Sequence, residues 1–240
     1  MTQQGKVRVG KRIYSGSGFT DPSFTGYKPI ICLTKSTPYG SLGPYELKDE
    51  KNRIMENIWQ GSKVYGKVPK IVAPYSRFNS KIIWDHPAET HVNKTGKLTK
   101  EYFEWRKKLM DNPWPVRYPV GLNYRHKCLY SIDDDGNKLN YIEARKKIYV
   151  PLYSKLVKSQ KQFKDLVARL NKGENLLIIE VDGPHQESLN YYKEKYDVGE
   201  KFIIKDTILV NKKNMDIMLN DPTHPFGHGY CLGMSLLGMI

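Results

Sequence analysis

The chain has 240 residues, with 39 Lys and Arg against 25 Asp and Glu, giving a net charge of +14. An aromatic content of 12%, including 17 Tyr, excludes a disordered chain, and no apolar run reaches the ~20 residues of a membrane span. Cys32, Cys128 and Cys231 are scattered thiols with no CxxC pair, which fits a reducing compartment and gives no support to a zinc site.

The opening residues, MTQQGKVRVGKRIY, are polar and basic without an apolar signal region, so the expectation is a soluble cytoplasmic protein without a membrane partner. The excess of cations favours polyanionic partners such as nucleic acid or a nucleotide.

Residues 1–28, rich in Gly and Ser and carrying Lys6, Arg8, Lys11 and Arg12, read as a basic N-terminal arm, with strand-forming potential at VRVGKRIY. Their charges are expected to be solvated. PIICLT (29–34) reads as a short buried strand, and a turn follows from Pro38 to Pro44. Asp49 to Tyr65 contains no Pro and one Gly, which predicts a helix ended by Gly66. At 100° per residue Glu56, Gln60 and Lys63 fall within roughly 60° of one another, with Trp59 beside them. Ile54, Ile58 and Tyr65 lie opposite as anchors. The polar face either meets water or lines a pocket.

From 67 to 127 the chain is irregular. KIVAPYSRF (70–78) holds a candidate strand, and TKEYFEWRKKLM (99–110) an amphipathic helix opened by Thr99 as N-cap. Tyr102, Trp105, Arg106, Trp114, Arg117 and Tyr118 form an aromatic and basic mixture that either stacks nucleobases or makes a second hydrophobic cluster. DDDGN (133–137) is a turn. Tyr141 to Asn171 is helical by its three- and four-residue apolar spacing, with Pro151 marking a kink or a new first turn. NLLIIEV (175–181) is an apolar strand, after which Asp182 is either a turn former or a carboxylate presented at a strand end. A helical patch (QESLNYYKEKY), a strand (KFIIKDTILV) and a buried Gly-rich helix (PFGHGYCLGMSLLGMI) complete the chain. The histidines of WDHPAETH and HPFGH are interrupted by Pro and lack the HExxH order of a metal site.

In this order the pieces resemble the NADAR family of YbiA-like N-glycosidases. That family has a PFSNF turn followed by a helix reading EHYYQAQKF; here PYGSL (38–42) and ENIWQGSKV (56–64) stand in those places. Asn140-Tyr141 stands for the family's DW, with Arg145 at the position of its Lys. LVKSQKQFKDL and LLIIEVD are similar to the next family helix and to its strand ending LVEAS. GYCLGMSLL (229–237) is similar to its closing GNLLGKxLM. In the family's D-x-x-W-G turn, Phe226-Gly227 keeps the Gly and replaces the Trp, with Asp182 or Asp221 for the Asp.

The resemblance implies an α+β fold, a mainly helical single domain of YbiA-like type with a small β-sheet. It would cover 29–240, with an insertion at 67–127. It also implies an enzyme that cleaves an N-glycosidic bond between ribose and a base or amine nitrogen. The substrate would be ADP-ribosylated guanine in nucleic acid or nucleotide, or a ribosylamino intermediate of riboflavin synthesis. Neither a cofactor nor a metal is expected. Glu56 would stabilise positive charge at C1, and Lys63 would attack C1 as an amine. Asp182 would be a second acid or base. Gln60 would hold ribose hydroxyls, Trp59 or Tyr39 would stack on the base, and Arg145 would suit a diphosphate. Tyr141, Phe226 and Gly227 complete the expected substrate contacts. DNA or RNA is a further partner, and a non-enzymatic basic nucleic-acid-binding protein is the competing class.

Overall fold

The computed structural model describes residues 3–16, 18–76 and 79–240. They form an α+β structure in two compact units, one made of Met1–Glu46 and Val150–Ile240, the other of Leu47–Tyr149.

In the first unit the chain begins with β1 (Val7–Lys11), a hairpin of β2 (Ile13–Ser15) and β3 (Gly18–Thr20), and β4 (Tyr27–Ile31). The second unit holds α1 (Met55–Gly61), β5 (Lys63–Tyr65), β6 (Lys67–Val68), a hairpin of β7 (Ile71–Ser76) and β8 (Asn79–His86), and β9 (Glu89–Thr90). It continues with α2 (Lys100–Met110), β10 (Cys128–Ile132), β11 (Lys138–Leu139) and α3 (Tyr141–Ala144), closing in a π-turn at Arg145–Tyr149. The chain then returns to the first unit as α4 (Val150–Val157), α5 (Lys161–Asn171), β12 (Asn175–Glu180), α6 (Leu189–Tyr196), β13 (Thr207–Leu209), α7 (Lys212–Asn220) and α8 (His228–Leu236).

The N-terminal segment is not a solvated arm. β1 lies inside a four-stranded sheet of order β13-β1-β12-β4, parallel to β12 from Val7↔Leu176 to Lys11↔Glu180 and antiparallel to β13. Val7 and Val9 are buried. Arg8 is buried as well, because its Nε donates to Thr207 Oγ1 at 2.7 Å and its guanidinium lies over the Phe24 ring. The pairing partners are some 170 residues away, out of reach of local reasoning. Met1, Thr2 and Ser17 of the expected arm, and Arg77 and Phe78 of KIVAPYSRF, lie outside the described residues.

Every residue of α8 is buried against the sheet. Close approach needs glycine: a Cβ on Gly233 would stand 2.9 Å from Val210 and 3.5 Å from Val7. At Gly183, after β12, φ is +100° and a Cβ would meet the Tyr230 hydroxyl oxygen at 2.1 Å. Gly183→Ala combines that clash with a left-handed backbone. It is expected to lower stability by roughly 1–3 kcal/mol in chemical denaturation; an unchanged midpoint would show that the loop relaxes freely.

The second unit has its own core of Val64, Tyr65, Val68, Trp84, Tyr102, Trp105, Leu109, Val116, Val120 and Ile132. Most of these come from 67–127, so that stretch is integral to the unit. Tyr102 and Trp105 are fully buried and serve as core rather than as base-stacking surface. α2 forms where its apolar spacing places it, and Thr99 Oγ1 accepts from the Tyr102 N–H at 3.2 Å. Of KFIIKDTILV only Thr207–Leu209 is strand, since Lys205 and Asp206 take left-handed φ values of 51° and 56°.

Candidate functional site

The helix expected from Asp49 to Tyr65 is cut at both ends. Asp49 Oδ1 accepts from the N–H groups of Lys51 at 3.0 Å and Arg53 at 2.8 Å. Asn52 adopts φ 62°, so this short polar side chain makes a turn where a helix would need its backbone donors. Helical geometry starts at Met55 and ends at Gly61. Lys63 then enters β5, which pairs with β10 through Lys63↔Ser131 and Val64↔Tyr130. Gly66 joins two strands and caps no helix.

Even so, the three polar side chains meet. Gln60 Nε2 donates to Glu56 Oε1 at 2.8 Å, and Lys63 Nζ donates to Gln60 Oε1 at 3.0 Å. Glu56 and Gln60 are buried at 7% and 9% exposure, so this face is not a solvated one. Ile58, expected as an anchor, is only half-buried, whereas Ile54 and Tyr65 are in the core. Lys63 Nζ lies 4.9 Å from the Trp59 ring centroid, and Trp59 meets Tyr149 edge-on at 5.2 Å. Burial pushes the Lys63 amine below the usual lysine range; Glu56 and the Cys128 thiol offset this in part. Sequence reasoning missed Asn57, which is fully buried. Its amide donates to the carbonyls of Asn112 and Trp114 and accepts from Val116 N–H, fastening that loop to α1.

In the same unit, Arg145 is buried in the π-turn with its guanidinium 4.6 Å from the ring centroid of Tyr141, which is 49% exposed. Trp114 is likewise 49% exposed. His91 is a core residue: its Nε2 pairs with Glu89 Oε1 at 2.8 Å and its ring packs on Trp105.

Tyr39, Asp182, Phe226 and Gly227 belong to the first unit. Tyr39 Oη accepts from Arg169 Nη1 at 2.5 Å, and Arg169 is itself paired with Glu174. Asp182 is half-buried after β12, beside Lys11, whose ammonium donates to Gly183 O. Phe226 is buried and stacked on Tyr230 at 5.1 Å. Gly227 precedes α8, where a Cβ would stand 2.5 Å from Glu180 Cδ and 2.9 Å from Asp182 Cβ.

Two clusters in this unit were not read as such from the sequence, although Asp221 of the second was one choice for the Asp of the family's turn. At the carboxyl end of β12, Glu180 is fully buried; its Oε2 accepts from Gly229 N–H, and Oε1 accepts from Val181 N–H at 2.7 Å. His228 Nδ1 lies 3.3 Å from Glu180 Oε2, and His228 Nε2 lies 3.2 Å from Cys32 O and 3.4 Å from its Sγ. Burial disfavours an imidazolium, but Glu180 and Cys32 outweigh it and raise the His228 pKa to about 10. The signal was present in the sequence as a single carboxylate closing an apolar strand. The second cluster surrounds Asp221, a buried carboxylate that accepts from Tyr191 Oη, Tyr192 Oη and Thr223 N–H and pairs with His224 Nδ1 at 2.7 Å. Burial would raise its pKa; these donors hold it at about 2.

Among the described residues no group of three or more His, Cys, Asp or Glu side chains is arranged to hold a metal ion, and no helix is long and apolar enough to cross a membrane. No family model, curated protein or solved structure matches the chain.

Proposed function

We propose that this chain is an N-glycosidase that breaks the bond between a ribose and a base nitrogen, with a YbiA-like fold. One observation carries the reading: a buried carboxylate, an amide and an amine hydrogen-bonded in series, Glu56–Gln60–Lys63, with the amine pushed below its ordinary pKa. A lysine so placed keeps a larger neutral fraction near neutral pH and so is a better nucleophile.

In the proposed reaction the neutral Lys63 amine attacks C1 of the ribose. The C1–N bond breaks, its electron pair passes to the base nitrogen, and that nitrogen takes up a proton. Lys63 loses a proton as the sugar ring opens to give an imine, and water then hydrolyses the imine and frees the amine. Glu56 stabilises the positive charge that develops at C1 and on the ring oxygen. Gln60 both orients Lys63 and offers its amide to ribose hydroxyls, and Trp59 flanks the amine. The resemblance adds Tyr141 and Arg145, which belong to the same unit as Lys63, as substrate contacts. It names ADP-ribosylated guanine, in nucleic acid or as a nucleotide, as the preferred substrate.

Borohydride reduction during incubation with ADP-ribosylated guanosine tests the chemistry. Guanine release with a ribosyl adduct mapped to Lys63 is expected. Equal trapping on a Lys63→Ala protein would remove Lys63 from the reaction. Salt-dependent binding of unmodified DNA with no turnover of any ribosyl substrate, riboflavin intermediates included, would favour the non-enzymatic binding protein.

A further inference from the structure

The second unit carries most of the charge: 21 Lys and Arg against 12 Asp and Glu in Leu47–Tyr149, so +9 of the total +14. Part of that excess lines a groove of about 430 Å³ whose walls include Lys51, Arg53, Phe103, Arg106, Lys107 and Met110. Four of these come from one face of α2. Phe103, Arg106, Lys107 and Met110 are spaced i, i+3, i+4 and i+7, the spacing that puts side chains on a common stripe of a helix. Lys51 and Arg53 come from the turn that Asp49 makes before α1.

The chemistry of the walls is divided. Phe103 is 53% exposed, an aromatic ring offered to solvent, and Met110, about two helical turns further along α2, is buried, so these parts of the wall are apolar. Around them stand four cations against two lining carboxylates, Asp111 and Asp134. The ion pairs that hold the cations are replaceable. Arg106 Nη2 meets Asp134 Oδ1 at 3.3 Å, and that Asp134 side chain is fully exposed on its turn. Lys107 Nζ meets Asp111 Oδ2 at 2.8 Å with both side chains half or more exposed. Exposed pairs of this kind contribute little, whereas a phosphate accepts charge-assisted hydrogen bonds from several cations at once. Lys51 is exposed. Arg53, doubly bonded to Asp49, is the fixed wall.

The geometry points to a nucleotide-binding groove on the second unit, in which a phosphate sits among Lys51, Arg106 and Lys107 and the neighbouring base stacks on Phe103. A free nucleotide and a unit of a single strand present the same phosphate and base to this open groove. The assignment goes beyond the glycosidase reading and does not depend on it, because no part of it uses the Lys63 amine.

The test is fluorescence anisotropy on the full chain with a labelled ten-nucleotide oligo-dA, and ADP as a competitor, at low and at physiological salt. Wild-type protein is expected to bind, more weakly as salt rises. Displacement by ADP at concentrations comparable to those of oligonucleotide units marks a mononucleotide site, and resistance to ADP marks a strand site; either supports the groove. An Arg106→Glu/Lys107→Glu protein is expected to bind at least tenfold more weakly, with a shallower salt dependence. Phe103→Ala should lose about five- to tenfold at constant salt dependence. The measurement reads binding without turnover, so a failure of the borohydride trapping at Lys63 leaves this outcome unaffected. Binding of both probes undiminished in the charge-reversed protein, or no binding by the wild type at low salt, would overturn the assignment.

Discussion

A Glu180→Gln protein is expected to lose about 3–5 kcal/mol of stability, the usual cost of breaking a buried ion pair by removing one partner. For a chain of this size that corresponds to a fall in melting temperature of roughly 6–20 °C. Gln keeps the shape of the side chain but only one acceptor oxygen, so the loss combines the missing charge with a broken backbone hydrogen bond, from Gly229 N–H or from Val181 N–H. The remaining His228 is then buried without its carboxylate, and its pKa should fall from about 10. Linkage gives the sign of the pH effect. The folded-state pKa lies above the 6.5 of an unperturbed imidazole, so the stabilisation is complete below about pH 6.5 and disappears as pH rises towards about 10. Wild-type stability should therefore decline across that window, and Glu180→Gln should flatten this part of the profile. A double Glu180→Gln/His228→Gln protein should be less destabilised than the two single changes summed. Identical pH profiles for wild type and Glu180→Gln would mean that His228 is neutral in the fold.

Lys63 is the second position where one change should have a large effect. Under the proposed chemistry Lys63→Ala lowers kcat/KM by about 10³-fold or more, the scale at which covalent catalysis is lost. Lys63→Arg should be no better, since a guanidinium retains its proton and cannot attack C1. Glu56→Gln should lower kcat by about 10²-fold while the Gln60 contact persists. Because the reactive form is the neutral amine, kcat/KM should rise with pH through the folded-state pKa of Lys63, which burial sets below 10.5. Full activity in Lys63→Arg would exclude the nucleophilic role, whatever the substrate.

Elements governed by local chemistry were legible in the sequence. The N-cap at Thr99, the apolar run of β12 and the Gly-rich buried α8 all follow from patterns within a dozen residues. The shortening of α1 was legible in principle, since Asp49 and Asn52 are turn formers, but helix propensity over the whole stretch masked them. What could not be read locally was long-range pairing. β1 lies beside β12, and Lys63 was drawn into a strand by β10 nearly seventy residues later. Within the candidate site, the meeting of Glu56, Gln60 and Lys63 was read from their spacing, although Lys63 reaches it from β5 and not from a common helix face. The burial of Glu56 and Gln60 was not, because helical periodicity alone cannot say what covers a polar stripe. Glu180 and His228 were passed over since each has meaning only beside the other.

The placement of β4 at the end of the four-stranded sheet also bears on how the protein avoids polymerising with itself. An outermost strand ordinarily presents a row of free backbone groups on which another chain can add a strand. Here alternate residues of β4 face outwards. The Tyr27 N–H is already given to Phe24 O, and Ile31 O already accepts from Tyr39 N–H. Between them stands Pro29, which has no N–H to offer. A residue that weakens a central strand therefore serves this one as a stop. The parallel sheet ends at β4, and an incoming strand finds no regular ladder to extend.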